Sequence, residues 1–297
     1  MRILMIGDIV GKPGRTIVTK SLARLRTEKS LDCIIANAEN AAGGSGLTPD
    51  NFQELRRAGV DCVTLGDHAF KQKSIFPVLE SDSRIVIPGN YPPGAPGRHW
   101  TVFDVETQEG PVPIAVFCLL GRIFMQPVDS PLFAADAILK DIPESVKIRI
   151  LDYHAEATAE KQLMGRYLDG RVSAVLGTHT HVATADETIL PGGTAFQCDV
   201  GMTGPFESII GRRIDRVMET TRTFRPVPFD VARNDLRINS TLVDIDPLSG
   251  KARSIERLVV YESETGRPDR EKRSENTVSR EPFLSETGGK QPSASEF

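Results

Sequence analysis

The sequence contains few cysteines, and their placement argues against two common uses of this residue. There are four among 297 residues, separated by long intervals: Cys33, Cys62, Cys118 and Cys198. No pair has the Cys-x-x-Cys spacing of zinc and redox sites, and each cysteine lies in or beside an apolar run. We therefore expect reduced, buried side chains. Such cysteine usage is typical of the cytoplasm, where we expect this protein.

An excess of basic charge and long hydrophobic runs are also lacking. The chain has 36 Lys and Arg against 40 Asp and Glu, a formal net charge of −4. Without a positive field, nucleic acid is not an expected partner. The N-terminal run MRILMIGDIV is too short to span a bilayer and lacks a signal-peptide cleavage site. We therefore expect no direct membrane partner.

The first two-thirds of the chain alternates between short apolar runs and longer amphipathic stretches. Strands that read as continuous apolar runs are typical of α/β proteins whose sheets are covered by helices. The predicted strands are 2–7, 33–37, 62–66, 84–89, 113–121, 147–154, 172–177 and 194–201, and the predicted helices are 14–29, 49–58, 130–142 and 157–167. Segments 239–245 and 257–262 are predicted to form an antiparallel pair.

The composition changes near residue 263. From there to residue 297 the chain is rich in Glu, Arg, Ser, Gly and Pro and has few large apolar residues. Such a segment cannot bury enough surface to offset its ordering entropy. The sequence therefore predicts one domain over residues 1–262 and a disordered polar tail over 263–297.

Five of the predicted strands are followed or ended by side chains that bind metals or transfer protons. Ligands bind outside the carboxyl ends of strands in open α/β sheets, so these side chains converge if their strands share one sheet. Carboxylates with imidazoles and no thiolate suit Zn, Fe or Mn. The set is too large for one tetrahedral ion but suits two, as in phosphoesterases. Its members are Asp8, Glu39, Asn40, Asp67, His68, His154, His179 and His181.

Two of the five histidines lie one residue apart in the stretch GTHTH, residues 177–181. In an extended segment, residues i and i+2 point to the same side. The spacing therefore predicts that His179 and His181 reach neighbouring ions from one extended segment. His99, in the loop PGRHW, is expected to be an ordinary surface or core residue.

Six motifs carry a resemblance to a known family. They resemble, in the same order, the YmdB-like branch of the calcineurin-like metallophosphoesterases, over residues 1 to about 261. The motifs are GDIVGKPGR at 7–15, NAEN at 37–40, GDH at 66–68, DYHAEAT at 152–158, GTHTHVATAD at 177–186 and DVGMTGP at 199–205.

The resemblance implies a single-domain, four-layer α/β/β/α sandwich with a dinuclear metal centre. It implies iron as the metal, with manganese or zinc as alternatives, and hydrolysis of small phosphodiesters such as 2′,3′-cyclic AMP. It also implies self-association into a homo-oligomer. Two alternatives stay open: a general phosphomonoesterase or nucleotidase on the same metals, and a regulatory or scaffolding protein with a weakened metal site.

The resemblance also implies a role for each strand-end residue. It places Glu39 between two ions as a shared ligand and makes His68 the general acid that protonates the departing ribose oxygen. The remaining ligands would be Asp8, Asn40 and His181 for the first ion and Asp67, His154 and His179 for the second.

One position departs from the family pattern. The family has Gly-Asn-His where this chain has Gly66-Asp67-His68. Because Asp67 adds a negative charge, we expect tighter metal binding but weaker Lewis acids, and hence a slower enzyme or a shifted metal preference.

Three further residues receive weaker interpretations. Asp186 is predicted to orient an imidazole by a hydrogen bond, and Glu156 and Glu160 are predicted to lie on a solvated helix face.

Overall fold

The computed structural model describes residues 1–107 and 109–265. Residues 1–265 form one compact unit. The tail predicted from residue 263 begins within a short 3-10 turn, Glu262–Glu264, and its remainder, 266–297, lies outside the described residues. Within the described ranges, the helices are too short or too polar to cross a membrane.

The first sheet combines parallel and antiparallel strands. Its order is β11-β12-β1-β2-β3-β4, and β13 pairs with β12. The strands β1 to β4 run parallel, whereas β12 is antiparallel to β1 and β13, so the predicted antiparallel pair is confirmed. The bounds are β1 Arg2–Ile6, β2 Cys33–Asn37, β3 Cys62–Thr64, β4 Ile85–Val86, β11 Gly204–Pro205, β12 Leu236–Ile245 and β13 Ala252–Tyr261.

The second sheet has the order β5-β6-β7-β8-β10-β9. Its central strands are parallel, and β5 forms an antiparallel hairpin with β6. Strand β5 was not predicted from the sequence, because this edge strand alternates between buried and exposed residues and has no continuous apolar run. The bounds are β5 Trp100–Thr107, β6 Gly110–Leu120, β7 Ile148–His154, β8 Ala174–Thr178, β9 Thr188–Ile189 and β10 Ala195–Gln197.

Within the described residues, six α-helices accompany the sheets. Helix α2 shows how local chemistry sets their limits: Thr48 Oγ1 accepts the N–H of Asn51 before the first turn, and Gly59 ends the helix at φ 105°. The bounds are α1 Gly11–Glu28, α2 Pro49–Ala58, α3 Phe76–Ser81, α4 Pro131–Asp141, α5 Thr158–Leu168 and α6 Ile214–Thr223.

Hydrophobic clusters among the described residues hold these elements together. Leu4 on β1 packs in a cluster with residues of α1 and α2, such as Leu22. Its neighbour Met5 points the other way, into a cluster with Val116 of the second sheet. A third cluster joins the second sheet to α4 and α5, for example through Met164. Because the strands are buried on both faces, they read as continuous apolar runs.

The four cysteines are buried and unpaired within the described residues. Burial raises the pKa of Cys62 to about 12, so its thiol stays protonated. The expectation of reduced, buried cysteines agrees with this structure.

Candidate metal centre

The candidate site lies where carboxyl ends of strands from both sheets meet. The strands belong to two sheets, and the packing of these sheets face to face brings the side chains together. Contacts of 4.0 Å or less join all eight predicted residues. They are Asp8 after β1, Glu39 and Asn40 after β2, Asp67 and His68 after β3, His154 at the end of β7, and His179 and His181 after β8.

One half of the site is compact. One ligand atom from each of Glu39, Asp67, His154 and His179 lies within 4.8 Å of the others. The His154 Nε2 atom is 3.0 Å from Asp67 Oδ1 and 3.3 Å from Glu39 Oε1. A Cβ atom at Gly66 would overlap Glu39 and the His154 ring, so the glycine before Asp67 permits this approach. Two carboxylates and two imidazoles at these distances suit a first-row divalent cation.

The other half of the site contains an unpartnered oxygen. Asp8 Oδ1 is buried without a hydrogen bond from any described residue, and it lies 4.0 Å from His181 Nε2. Asn40 Nδ2 is 3.2 Å from Glu39 Oε1 and from His181 Nε2. An unsatisfied buried carboxylate oxygen is costly. A cation among these residues would satisfy it.

The charges of the site favour a cation as well. Burial raises the pKa of Asp8 to about 7. Burial opposes ionisation of His154, but the carboxylates of Glu39, Asp67 and Asp8 outweigh it and raise the His154 pKa well above its ordinary value. In turn, His154 outweighs burial at Glu39 and lowers the pKa of that carboxyl group. The field that holds a proton on His154 would equally attract a divalent ion.

His179 and His181 reach the two halves by a different geometry from the one predicted. Strand β8 ends at Thr178, and both histidines adopt left-handed backbone angles, with φ 99° and 66°. Such angles are unfavourable for residues other than glycine. The extended i, i+2 arrangement was therefore wrong: a tight turn, rather than a strand, directs His179 towards Asp67 and His181 towards Asn40.

Hydrogen bonds stabilise this turn at residues 179–181, here called the histidine turn. The N–H of His179 donates to Asp8 Oδ2 at 3.1 Å. The N–H and hydroxyl of Thr180 both donate to Asp199 Oδ2, at 3.1 and 2.8 Å. The N–H of Met202 donates to the carbonyl oxygen of His181 at 3.1 Å. The unfavourable backbone angles are thus held by partners from distant parts of the chain.

A buried ion pair lies behind the histidine turn. It was not predicted from the sequence. Lys161 Nζ is 2.6 Å from Asp199 Oδ2 and donates to the carbonyl oxygen of Thr178 at 2.8 Å. Both side chains are almost fully buried. The sequence contains a signal for this pair, because Lys161 shares the buried face of α5 with Met164 and Leu168 at helical spacing. A lysine on an apolar helix face indicates a buried anionic partner.

A second buried network orients His154. Thr178 Oγ1 lies 2.8 Å from His154 Nδ1 and donates to Asp152 Oδ1 at 2.6 Å. Thr64 and Asn37 donate to the other oxygen of Asp152, at 2.5 and 3.0 Å. Because Nδ1 is engaged, Nε2 of His154 faces the carboxylates.

The weaker interpretations fared differently. Asp186 accepts hydrogen bonds from Thr184 Oγ1 and the N–H of Cys198 and is not bonded to an imidazole, so that prediction was wrong. Glu156 is not merely solvated, since its Oε2 is 3.1 Å from His179 Nε2. Glu160 binds backbone N–H groups of the segment after β6. His99 lies outside the cluster, beside β5, as expected.

Comparison with known proteins gives concordant matches over most of the chain. A family described as YmdB-like protein matches residues 4–258. The chain is 42% identical over 260 residues to a 2′,3′-cyclic-nucleotide 2′-phosphodiesterase of Bacillus subtilis, covering 88% of this chain and 97% of that protein.

Two solved structures are similar in fold. A hypothetical protein from Thermus thermophilus has a TM-score of 0.81 and 42% identity, covering 88% of this chain and 99% of that one. A phosphatase from Mycoplasma pneumoniae has a TM-score of 0.81 and 30% identity, covering 88% and 93%.

Proposed function

Because the chain belongs to the YmdB-like protein family, we propose that it is a metal-dependent phosphodiesterase that hydrolyses 2′,3′-cyclic nucleotides to 3′-nucleotides. The observation that carries this proposal is the cluster of carboxylates and imidazoles at the strand ends of two sheets. The Bacillus subtilis relative, which is similar over almost its whole length, bears the name of this activity.

The proposal includes the four-layer α/β/β/α arrangement of the family. Three separate hydrophobic clusters support it, one between the two sheets and one between each sheet and its helices. The sandwich would place both sets of parallel strand ends at one edge, where the candidate site lies.

We assign two divalent ions to the site, with iron as the first choice and manganese or zinc as alternatives. Asp8, Glu39, Asn40 and His181 would hold one ion, and Glu39, Asp67, His154 and His179 would hold the other. The unpartnered Asp8 Oδ1 and the mixture of oxygen and nitrogen donors fit such ions. When bound, the ions would lower the pKa of a shared water and offset the negative charge of the phosphate.

His68 would act as the general acid. Its backbone N–H donates to Glu39 Oε2 at 2.9 Å, and its ring atom Nδ1 lies 2.7 Å from Asn40 Oδ1. The N–H at Nδ1 donates to Asn40 Oδ1, so the N–H at Nε2 is the proton that the His68 imidazolium would transfer. The Asn40 oxygen has a second lone pair through which it would hold the ion.

The reaction joins the oxygen of a water molecule to phosphorus as the bond from phosphorus to the 2′ oxygen breaks. The departing 2′ oxygen takes the proton from His68 Nε2, and the product carries a free 2′-hydroxyl and a 3′-phosphate. The attacking water releases one proton to solvent, and His68 regains its proton from solvent.

The test uses the full chain, stripped of metal with a chelator and reloaded with iron, manganese or zinc. We expect metal-dependent conversion of 2′,3′-cyclic AMP to 3′-AMP, measured by chromatography. Equal or faster hydrolysis of 3′-AMP and p-nitrophenyl phosphate would instead establish a general phosphomonoesterase. Bound metal without turnover would favour the regulatory or scaffolding alternative.

Replacement of His68 tests the general acid. We expect His68→Ala to lower turnover about 10²–10⁴-fold while the metal content stays unchanged. His99→Ala, outside the cluster, is the matched control. Loss of metal from His68→Ala would show that His68 is a ligand and contradict its assigned role.

A further inference from the structure

The segment Gly121–Asp129, here called the β6–α4 loop, borders the candidate metal centre. At its start, the N–H of Gly121 donates to the carbonyl oxygen of His154 at 2.9 Å. Further along, Gln126 Nε2 donates to the hydroxyl of Tyr91 at 2.7 Å, and that hydroxyl donates to the carbonyl oxygen of Gly66 at 3.3 Å. The loop is therefore attached beside His154 and beside Asp67, two residues of the compact half of the site.

The β6–α4 loop presents an aromatic ring to solvent. The Phe124 side chain is 90% exposed, and its backbone is left-handed at φ 60°. This backbone conformation is a true outlier for a bulky residue. The Glu160 carboxylate accepts the N–H groups of Arg122 and Ile123, at 2.9 and 3.3 Å, and so stabilises the loop just before Phe124. An unfavourable backbone held in place beside a candidate site points to a function.

The ring and the site together match the two parts of a nucleotide. The cluster of metal-binding side chains suits the phosphate, and an exposed aromatic face suits a planar base, since bases stack on aromatic side chains irrespective of sequence. Tyr91 cannot serve in this way, because its ring is buried and its hydroxyl is engaged. Phe124 is thus the aromatic residue that the β6–α4 loop offers to a ligand.

We propose that Phe124 forms a nucleobase subsite, on which the base of a nucleoside 2′,3′-cyclic phosphate stacks while its phosphate lies in the metal centre. This inference rests on the proposed function and deepens it, because it assigns the contact that distinguishes a nucleotide from other phosphodiesters. Purines have the larger stacking surface, so the subsite favours them over pyrimidines.

The test compares 2′,3′-cyclic AMP with a base-free analogue, methyl ribofuranoside 2′,3′-cyclic phosphate. Phe124→Ala is expected to raise KM for 2′,3′-cyclic AMP about ten-fold, the effect of losing one stacked base, with little change in kcat. The same variant is expected to leave the base-free substrate unaffected. Phe124→Trp retains an aromatic ring at this position and is expected to have the wild-type KM for 2′,3′-cyclic AMP.

The chain provides a matched control in Phe224. This phenylalanine is 93% exposed, has φ 55° and follows the last turn of α6, so Phe224→Ala removes the same ring from a similar backbone. We expect it to leave both substrates unaffected. Equal losses on both substrates in Phe124→Ala, or an unchanged KM for 2′,3′-cyclic AMP, would overturn the proposal.

A binding measurement separates this inference from the proposed reaction. Calorimetric titration of the metal-loaded protein with 3′-AMP and with ribose 3-phosphate needs no turnover. The subsite predicts that Phe124→Ala weakens only the binding of 3′-AMP, also about ten-fold. Equal weakening of both ligands, together with a smaller species in light scattering, would place Phe124 at an interface between copies and overturn the subsite.

Discussion

The first sheet supplies the carboxylates and the amide of the candidate site, whereas the second supplies most of its imidazoles. Asp8, Glu39 and Asp67 follow β1, β2 and β3, while His154 ends β7 and the histidine turn follows β8. Carboxylates crowded at one sheet edge repel one another. The imidazoles of the other sheet lie between them, within 3.0–3.3 Å at His154.

The difference between the sheets shows that neither carries the site alone. Their separation is set by an apolar layer that contains Met5 and Val116. A backbone link reinforces this layer near the site, where the N–H of Gly89, just after β4, donates to the carbonyl oxygen of Cys118 on β6 at 2.8 Å. The chemistry of the site therefore depends on how the two sheets pack.

The largest effect is expected from Glu39→Gln, which alters the carboxylate that both sheets contact. Glu39 accepts the N–H of His68 and lies 3.3 Å from His154 Nε2. Changes to groups around metal ligands typically cost 10–100-fold, so loss of the ligand that we propose to be shared is expected to lower turnover on the order of a thousand-fold. Metal per chain, measured by mass spectrometry, should fall in parallel.

Glu144→Gln is the control for this substitution, because Glu144 is an exposed carboxylate in the turn between α4 and β7. Wild-type metal content and turnover in Glu39→Gln would show that Glu39 is not a shared ligand.

A smaller effect is expected from Lys161→Met, which breaks the ion pair behind the histidine turn. Removing one partner of a buried pair leaves the other charge uncompensated, which destabilises a protein by about 3–5 kcal/mol. Urea unfolding measures this loss, with Lys140→Met on the exposed side of α4 as control. Because Asp199 also binds Thr180, we expect weaker metal binding at temperatures where the variant is folded.

The two readouts have separate meanings. Lower stability with unchanged metal affinity and kcat would assign Lys161 a structural role only, and the idea that it positions the histidine turn would fail.

The smallest effect is expected from Asp67→Asn, which removes one negative charge from the carboxylates that the first sheet supplies. The carboxamide keeps an oxygen near His154 and His179 but removes a charge. Asp67 Oδ2 also lies 3.7 Å from His68 Nε2. We expect turnover to rise up to about ten-fold, because ions bound without the Asp67 charge are stronger Lewis acids. We expect metal retention to fall, because the same negative charge no longer attracts the ions. Rates and metal content equal to wild type would contradict this account.

Much of the site could be predicted from the sequence because its residues follow apolar strands. The runs ending at Ile6, Asn37 and Thr64 are recognisable from local composition, and the polar residues after them stand out against it. The histidine pair stood out for the same reason. What local composition could not supply was the backbone between these histidines, since φ at His179 and His181 depends on Asp8, Asp199 and Met202, which are distant in sequence.

The sequence by itself determined which side chains are available and that they lie at strand ends, because strand burial and strand length are written in the local pattern of apolar residues. Only the tertiary structure decided that two sheets share the site, that Lys161 meets Asp199 behind the histidine turn, and that Phe124 is exposed on the β6–α4 loop. These features depend on contacts between residues far apart in the chain, and the packing of the apolar layers sets those contacts rather than any local preference.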